Sequence, residues 1–412
     1  MAGSRKKKGS QAHADAVPAS GCGPVKVLFL SAAGQVGGAE RSLYELLCAL
    51  PEERIEARAC VPPEEPLARL CALAEVPVHP VPLRRFWRTL SPFLLAGQVR
   101  ALYRASQAVK QVVEDQRIDV LHANTDSAAL VAWEVGRETR RPFVWHCRDM
   151  RPLGPLARML AKSSVNAVAI SKAVEKHLLD QGVAPERIRR IENGIDLARF
   201  HPPDQRAGIR ARTRAYLGIE PSAPLLMDIG AWVPWKRHEL FLEALALVRA
   251  KHPDARGVMV GSDLFQENRS YSDFLESRMD ALNLGDGALL VLQQRDDVPD
   301  LLAAADVLVS PSEKEPFGRV LAEAGASGVP VVSSNSGGKT EIVKDGETGR
   351  LVPPGDAKVL AAACLDLLED HEKRVHMGAN AIVRIAELFD IRRTANELAD
   401  LFEEVAGRKQ RD

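Results

Sequence analysis

The 412-residue chain has no excess charge of either sign, no paired cysteines and no long apolar run. Its 55 Lys and Arg residues offset its 55 Asp and Glu residues, so no global field marks it for nucleic acid. The six cysteines (Cys22, Cys48, Cys60, Cys71, Cys147 and Cys364) form no CxxC pair. That excludes a paired-cysteine zinc module, and a chain of this size needs no disulfide scaffold. Reduced thiols in a cytoplasmic setting are expected. The uncharged, apolar-leaning stretch Thr89–Val99 is interrupted by Pro92 and falls well short of the roughly 20 residues that cross a bilayer. The basic run Arg5–Lys8 is not followed by an apolar segment, so residues 1–24 read as a disordered basic tail rather than a secretory signal. Neither a P-loop nor a G-x-G-x-x-G fingerprint occurs, and no Asp-x-Asp pair stands at a strand end to take a divalent cation.

What is present is an ordinary soluble composition, 46% hydrophobic and 27% charged, with room for two to three domains. Its charge is unevenly spread: residues 1–200 carry 29 Lys and Arg against 21 Asp and Glu, whereas residues 201–412 carry 26 against 34. Short apolar, β-branched runs alternate with helical patterns. Strands are expected at Val25–Ser31, Ile55–Val61, Val76–Val81, Asp119–His122, Pro142–His146, Ala167–Ile170 and Ile188–Ile191. The helical stretches include Ala39–Leu50, Ala101–Glu114 and Lys172–Leu179. A linker composition follows at Phe200–Asp204. The alternation then restarts, with strands at Leu225–Ile229, Gly257–Val260, Leu289–Leu292, Val307–Ser310, Val329–Ser333 and Gly349–Val352. Continuous apolar strands between helices indicate parallel, doubly covered sheets. The chain therefore reads as two Rossmann-like α/β domains in series, 25–200 and 201–390, with a last helix in 391–412 returning to the first. Open sheets of this kind bind ligands beyond the carboxyl ends of their strands.

Two loops at such ends stand out. After the first strand, Gly37-Gly38-Ala39-Glu40 opens a helix. Glycine lets a ligand approach the backbone, and a helix N-terminus favours an anion. The second loop is Ser310-Pro311-Ser312-Glu313-Lys314-Glu315-Pro316-Phe317-Gly318-Arg319, running on to Glu323. Glu315 and Glu323 lie eight residues apart, and Pro316 and Gly318 mark a helix start between them. Glu315 is expected just before that helix and Glu323 about two turns in, with the amides of Phe317, Gly318 and Arg319 between. Carboxylates accept from sugar hydroxyls, and N–H groups donate to phosphate oxygens.

This second segment resembles the E-x7-E motif of the retaining nucleotide-sugar glycosyltransferases of family 4, also called glycosyl transferases group 1. Other segments resemble that family in the same order: Gly37–Glu40, Ile170-Ser171-Lys172, Asn193-Gly194-Ile195-Asp196, Pro234-Trp235-Lys236, Asp296-Asp297-Val298-Pro299, Ser336–Glu341 and Thr348–Val352. The resemblance spans roughly residues 25–390. It implies a GT-B fold, with two Rossmann-like domains facing across a cleft, and metal-independent transfer of a hexose-type sugar from a UDP- or GDP-sugar. No cofactor is implied. Carried over, Glu323 binds ribose hydroxyls and Glu315 holds sugar hydroxyls at the reacting carbon. Lys236 neutralises the diphosphate, assisted by Phe317, Gly318 and Arg319 from one side and by Gly37 and Gly38 from the other. His146 stands near the donor sugar as a catalytic candidate, with His122 and Glu40 on the acceptor or sugar side.

Two departures are visible. Ala231 stands where many relatives carry Arg, so either one diphosphate cation is missing or Arg237 or Arg319 replaces it. Arg237 itself replaces the usual glycine after the lysine. An epimerase on the same fold, or a sugar-nucleotide-binding protein without turnover, is the alternative reading. Finally, Val76–Val113 contains six basic residues from Arg84 to Lys110 and no acid, with Phe86, Trp87, Phe93, Leu94, Leu95 and Tyr103 interleaved. Such a segment suits an anionic membrane surface or a lipid-linked acceptor. A peripheral placement at the inner face of a membrane, with a glycan or lipid-linked saccharide as acceptor, is the resulting expectation.

Overall fold

The computed structural model describes residues 23–407, apart from Gly34, Glu64, Trp87, Arg88, Leu90, Pro202 and Phe265. The expected basic tail lies outside the described residues except for its last two positions. Among the described residues the chain forms two fully parallel sheets. The first contains β1 (Val25–Leu30), β2 (Ile55–Val61), β3 (Val78–Pro80), β4 (Val120–Ala123), β5 (Phe143–Cys147), β6 (Asn166–Ala169) and β7 (Ile188–Arg190) in the order 3-2-1-4-5-6-7. The second contains β8 (Leu225–Ile229), β9 (Arg256–Val260), β10 (Leu289–Leu292), β11 (Val307–Ser310), β12 (Val331–Ser334) and β13 (Gly349–Val352) in the order 10-9-8-11-12-13.

Each expected strand is found within a few residues of its expected place. They are buried on both faces: every residue of β4, β5, β6, β11 and β12 lies in the interior. Both sheets reverse their winding once, between β1 and β4 and between β8 and β11. A crevice opens where winding reverses, because helices on the two sides depart to opposite faces. The glycine loop follows β1, and the E-x7-E loop follows β11. Topology thus delivers both loops to crevices.

One helix differs from expectation. It runs from Pro92 to Gln116 instead of starting at Ala101, with Ser91 as its N-cap and Pro92 in its first turn. Proline lacks only an N–H that the first turn leaves unpaired anyway, so here it starts a helix.

The last helix, Ile391–Val405, leaves the six-stranded half and packs on the seven-stranded one. Ile391, Ala395, Leu398, Leu401 and Phe402 join a buried cluster with Val25, Val27, Phe29, Leu43 and Leu46. The two crossing strands of chain lie side by side: the Ile195 amide donates to Phe389 O at 2.9 Å, and the Ile391 amide to Ile195 O at 3.0 Å. Gly194 is required there, since a Cβ would come within 2.6 Å of Ile391 Cα. No helix among the described residues is long and apolar enough to cross a membrane.

Candidate active site

Two loops of the six-stranded half converge. The short 3-10 turn Pro234–Lys236 after β8 aims Lys236 at the E-x7-E loop, where Nζ donates to Glu315 Oε2 at 2.7 Å. The same ammonium lies 4.7 Å from the centroid of the Trp235 ring. Glu315 is buried and also accepts from Ser312 Oγ at 3.3 Å. Beneath it Lys339, with no exposed surface, donates to the Ser312 carbonyl, to Ser312 Oγ at 3.1 Å and to Ser334 Oγ at 2.6 Å. Burial pulls the Lys339 ammonium down to about 7, against the opposing pull of Glu315. The glycines before it let this loop close on the motif: a Cβ at Gly337 would stand 2.3 Å from Glu315 O, and one at Gly338 2.5 Å from Pro316 O.

The motif helix starts later than expected. Gly318 is its N-cap in the left-handed region, at φ 102°, and the helix spans Arg319–Ala326. Glu323 consequently falls one turn after Arg319, whose Nε pairs with Glu323 Oε1 at 2.7 Å. Burial raises the Glu323 carboxyl while Arg319 opposes it. Phe317 turns its ring into the interior against Phe389, which leaves its backbone as the part that could meet a ligand. The first amides of the motif helix have no intrahelical acceptors, and Gly318 brings no capping side chain.

Arg319 also reaches the other half of the molecule, a role the sequence reading missed. It donates to Glu45 Oε1 at 2.5 Å and to Ser42 Oγ at 3.3 Å. Glu45, on the helix Gly38–Ala49, accepts in addition from Arg199 at 2.7 Å and from the Asp196 amide at 3.1 Å. Burial alone would raise this carboxyl, but Arg319 and Arg199 hold it below the ordinary range. Arg237, beside Lys236, is paired within the six-stranded half. It sits at φ 57° with its guanidinium held by Glu239 of its own segment and by Glu313 of the motif loop, both at 2.5 Å. Ala231 contributes its carbonyl, which meets His238 Nε2 at 3.0 Å, and His238 Nδ1 in turn meets Asp228 Oδ2 at 2.6 Å.

On the opposite wall Gly37 caps the first helix, and its amide donates to Glu40 Oε2 at 3.1 Å. Glu40 is thereby a capping-box residue, buried and raised to about 7 by that burial, not an open carboxylate on the acceptor side. A Cβ at Gly38 would meet nothing within 4 Å; protein packing does not require glycine there. Arg148 lies behind, part-buried, bridging Asn124 Oδ1 at 2.6 Å and Asn193 Oδ1 at 2.8 Å. Burial lowers it to about 9.

His122 and His146 come together as one buried pair, Nε2 to Nδ1 at 2.9 Å. Neither has exposed surface. Phe402 of the last helix covers His122, with ring centroids 5.8 Å apart. Burial and Arg148 depress both imidazoles, His122 to about 3. A neutral pair shares one proton across the bond, so one outer nitrogen is a donor and the other an acceptor. Those outer nitrogens, His122 Nδ1 and His146 Nε2, have no hydrogen-bond partner among the described residues.

The two walls also touch directly. Ser171 Oγ donates to Pro316 O at 2.5 Å, and Glu341 accepts from the Lys172 and Ala173 amides at 2.9 and 3.1 Å, capping a helix of the other half. Gln294 Nε2 donates to Val36 O at 2.7 Å, and Arg41 pairs with Asp296. These contacts account for several of the sequence landmarks at once.

Residues 210–384 match the family model described as glycosyl transferases group 1, and residues 36–199 that described as glycosyltransferase family 4. A D-inositol 3-phosphate glycosyltransferase of Saccharomonospora viridis is 34% identical over 323 residues, covering 76% of this chain and 69% of that protein. D-inositol 3-phosphate glycosyltransferase 2 of Catenulispora acidiphila is 27% identical over 404 residues, 90% of each chain. Among solved structures, Anabaena HepE in complex with UDP-glucose is 27% identical, with a TM-score of 0.79 over 92% of this chain and 99% of that one. Sucrose-phosphate synthase of Thermosynechococcus elongatus, 22% identical with a TM-score of 0.77 over 93% of this chain and 100% of that one, shares the fold. Two parallel α/β sheets meeting across loops of this kind define a GT-B glycosyltransferase. The chain belongs to glycosyltransferase family 4, the group 1 glycosyl transferases.

Proposed function

We propose that the protein transfers a hexose-type sugar from UDP-sugar to a glycan or lipid-linked saccharide, with retention and without a metal, working at the cytoplasmic face of a membrane. The observation that carries this reading is the pairing of each motif carboxylate with its own cation, Glu315 with Lys236 and Glu323 with Arg319, opposite a glycine that packing does not require. The UDP-glucose complex of the HepE relative supports the choice of nucleotide.

In this reading the diphosphate lies between Lys236, the N-terminus of the motif helix and the Gly37-Gly38 backbone. Breaking the glycosyl–phosphate bond builds negative charge on that group. A fixed ammonium and helix N–H groups stabilise it without rearrangement at the moment of reaction. Glu323 takes the ribose hydroxyls, which requires it to share or exchange its bond to Arg319. Glu315 holds a sugar hydroxyl while Lys236 turns toward the phosphate. The acceptor hydroxyl attacks on the leaving-group side, and its proton passes to the departing phosphate oxygen. Arg319 is the second cation in the cleft, standing in for the arginine that Ala231 replaces.

The test is thermal stabilisation by UDP-, GDP- and ADP-sugars, followed by turnover with the stabilising donor and the anomeric configuration of the product. UDP-sugar should raise the midpoint by mass action. Lys236→Ala should lower kcat/KM by roughly 100- to 1000-fold, the usual cost of one charge-stabilising group. Stabilisation without turnover on any acceptor would favour the non-catalytic alternative. Acceptor-independent turnover would favour the epimerase.

A further inference from the structure

The cations around the cleft are not held alike. Lys236 is paired with Glu315, Arg237 with Glu239 and Glu313, Arg199 with Glu45, and Arg319 with Glu45 and Glu323. Arg148 makes no ion pair among the described residues. Its Nε and Nη1 donate instead to two neutral amide oxygens, Asn124 Oδ1 at 2.6 Å and Asn193 Oδ1 at 2.8 Å. Nη2 has no hydrogen-bond partner among the described residues, and it is not sealed in the interior. One edge of this guanidinium is gripped and the other is open.

The grip is itself built. Asn124 follows β4, Arg148 follows β5 and Asn193 follows β7, so all three stand at the carboxyl edge of the seven-stranded sheet. Each asparagine is oriented by its amide nitrogen: Asn124 Nδ2 donates to Ala39 O at 3.3 Å, and Asn193 Nδ2 to Ser42 Oγ at 3.0 Å. Both partners belong to the helix Gly38–Ala49. With its nitrogen committed there, each amide offers Arg148 its oxygen. A carboxylate in either place would hold the guanidinium as well and cancel its charge. An amide oxygen holds it and leaves the charge standing, which costs free energy in a part-buried place.

That charge is felt from both walls. Glu40 of the glycine loop attracts Arg148, and Arg319 of the motif helix repels it. Glu40 is no contacting counter-ion, since its Oε2 accepts from the Gly37 amide. Ser42 links the two arginines, accepting from Arg319 Nη1 at 3.3 Å and from Asn193. Two like charges approaching from opposite walls are both stabilised by an anion placed between them.

We propose that Arg148 is an anion-binding residue of the seven-stranded wall, its open edge taking a phosphate oxyanion that enters the cleft. The oxyanion belongs to the donor diphosphate or to a phosphate on the acceptor, which present the same chemistry to a guanidinium edge. In the first case Arg148 faces Lys236 across the leaving group; in the second it orients the acceptor beside it. The proposal rests on the reading that the cleft binds a nucleotide sugar, and its test is binding, not turnover.

The test is calorimetric titration of the full chain with UDP, and of the UDP-saturated chain with inorganic phosphate, for wild type, Arg148→Gln and Asn193→Asp. If the donor diphosphate fills the site, Arg148→Gln weakens UDP binding by roughly 10- to 100-fold, the usual worth of a hydrogen bond to a charged group, and phosphate does not bind the UDP complex. If an acceptor phosphate fills it, UDP binding is unchanged, while phosphate binds the wild-type UDP complex and is weakened by about the same factor in Arg148→Gln. Asn193→Asp leaves the arginine in place and gives it a counter-ion, so it lowers the same affinity; an aspartate still accepts from Arg148 and from the Ser42 hydroxyl, which keeps the test available should Arg148→Gln fail to fold. UDP affinity indifferent to both variants, with no phosphate binding that they weaken, would overturn the proposal and leave Arg148 a structural tie between helix and strands. No UDP binding to the wild type would instead bring down the transferase reading, and the proposal with it.

Discussion

Each half of the molecule places a buried polar layer just behind the cleft, and the two layers are built differently. In the six-stranded half, Lys339, Ser312 and Ser334 satisfy one another and support Glu315. In the seven-stranded half, the His122–His146 pair ends in two nitrogens with no partner among the described residues. Buried polar groups left unpaired cost free energy, so a fold tolerates them where something other than stability sets the sequence. The first layer is completed internally and fixes a carboxylate in place. The second keeps hydrogen-bonding capacity in reserve, on the wall where the resemblance places the acceptor side.

The knot joining the two walls is the sharpest place to break this contrast. Glu45→Ala leaves Arg319 and Arg199 facing a buried gap, and loss of one partner from a buried ion cluster costs about 3–5 kcal/mol. The urea midpoint should drop accordingly, and donor affinity should change because Glu323 becomes the remaining carboxylate for Arg319. Lys339 gives the next largest effect. Its folded value of about 7 lies below the ordinary 10.5, so between those values the unfolded chain binds more protons. Stability must then rise as pH climbs through 7, by about 1.4 kcal/mol per pH unit at most from this group. Lys339→Met removes that slope, and the difference between the two urea-midpoint profiles across pH 6–9 isolates it. The smallest effect is expected on the other layer. Replacing both members of the histidine pair, His122→Phe with His146→Leu, removes the unpaired nitrogens together with the bond between them, and should shift stability by less than about 1.5 kcal/mol in either direction. A loss comparable to that of Glu45→Ala would show that the two layers are equally structural.

Strand order, the two crevices and the motif loops were legible because they depend on local pattern: continuous apolar runs, glycines at strand ends and the eight-residue spacing of Glu315 and Glu323. What was not legible depends on residues distant in the chain. Glu45 meets Arg319 across 274 positions, and no local periodicity signals such a pair. The cover over His122 comes from Phe402, at the far end of the chain. Where Arg237 points was not legible for a different reason. Its φ of 57° is a backbone fact that sends the side chain to Glu239 and Glu313, and an arginine in place of glycine gave no hint that it would keep the glycine conformation. The start of the Pro92–Gln116 helix was hidden by a proline read as an interruption.

The return of the last helix has a consequence for how the chain is made. Strands β1–β7 are complete once Arg190 has been synthesised, but their core lacks Ile391, Leu398 and Phe402. The ribosome needs a further stretch of roughly 200 residues, about 10–40 s at ordinary elongation rates, before that cover exists. Through this interval the first half waits with an apolar face open, while the second half can close its own sheet as it emerges. The part translated first is therefore the part that finishes last.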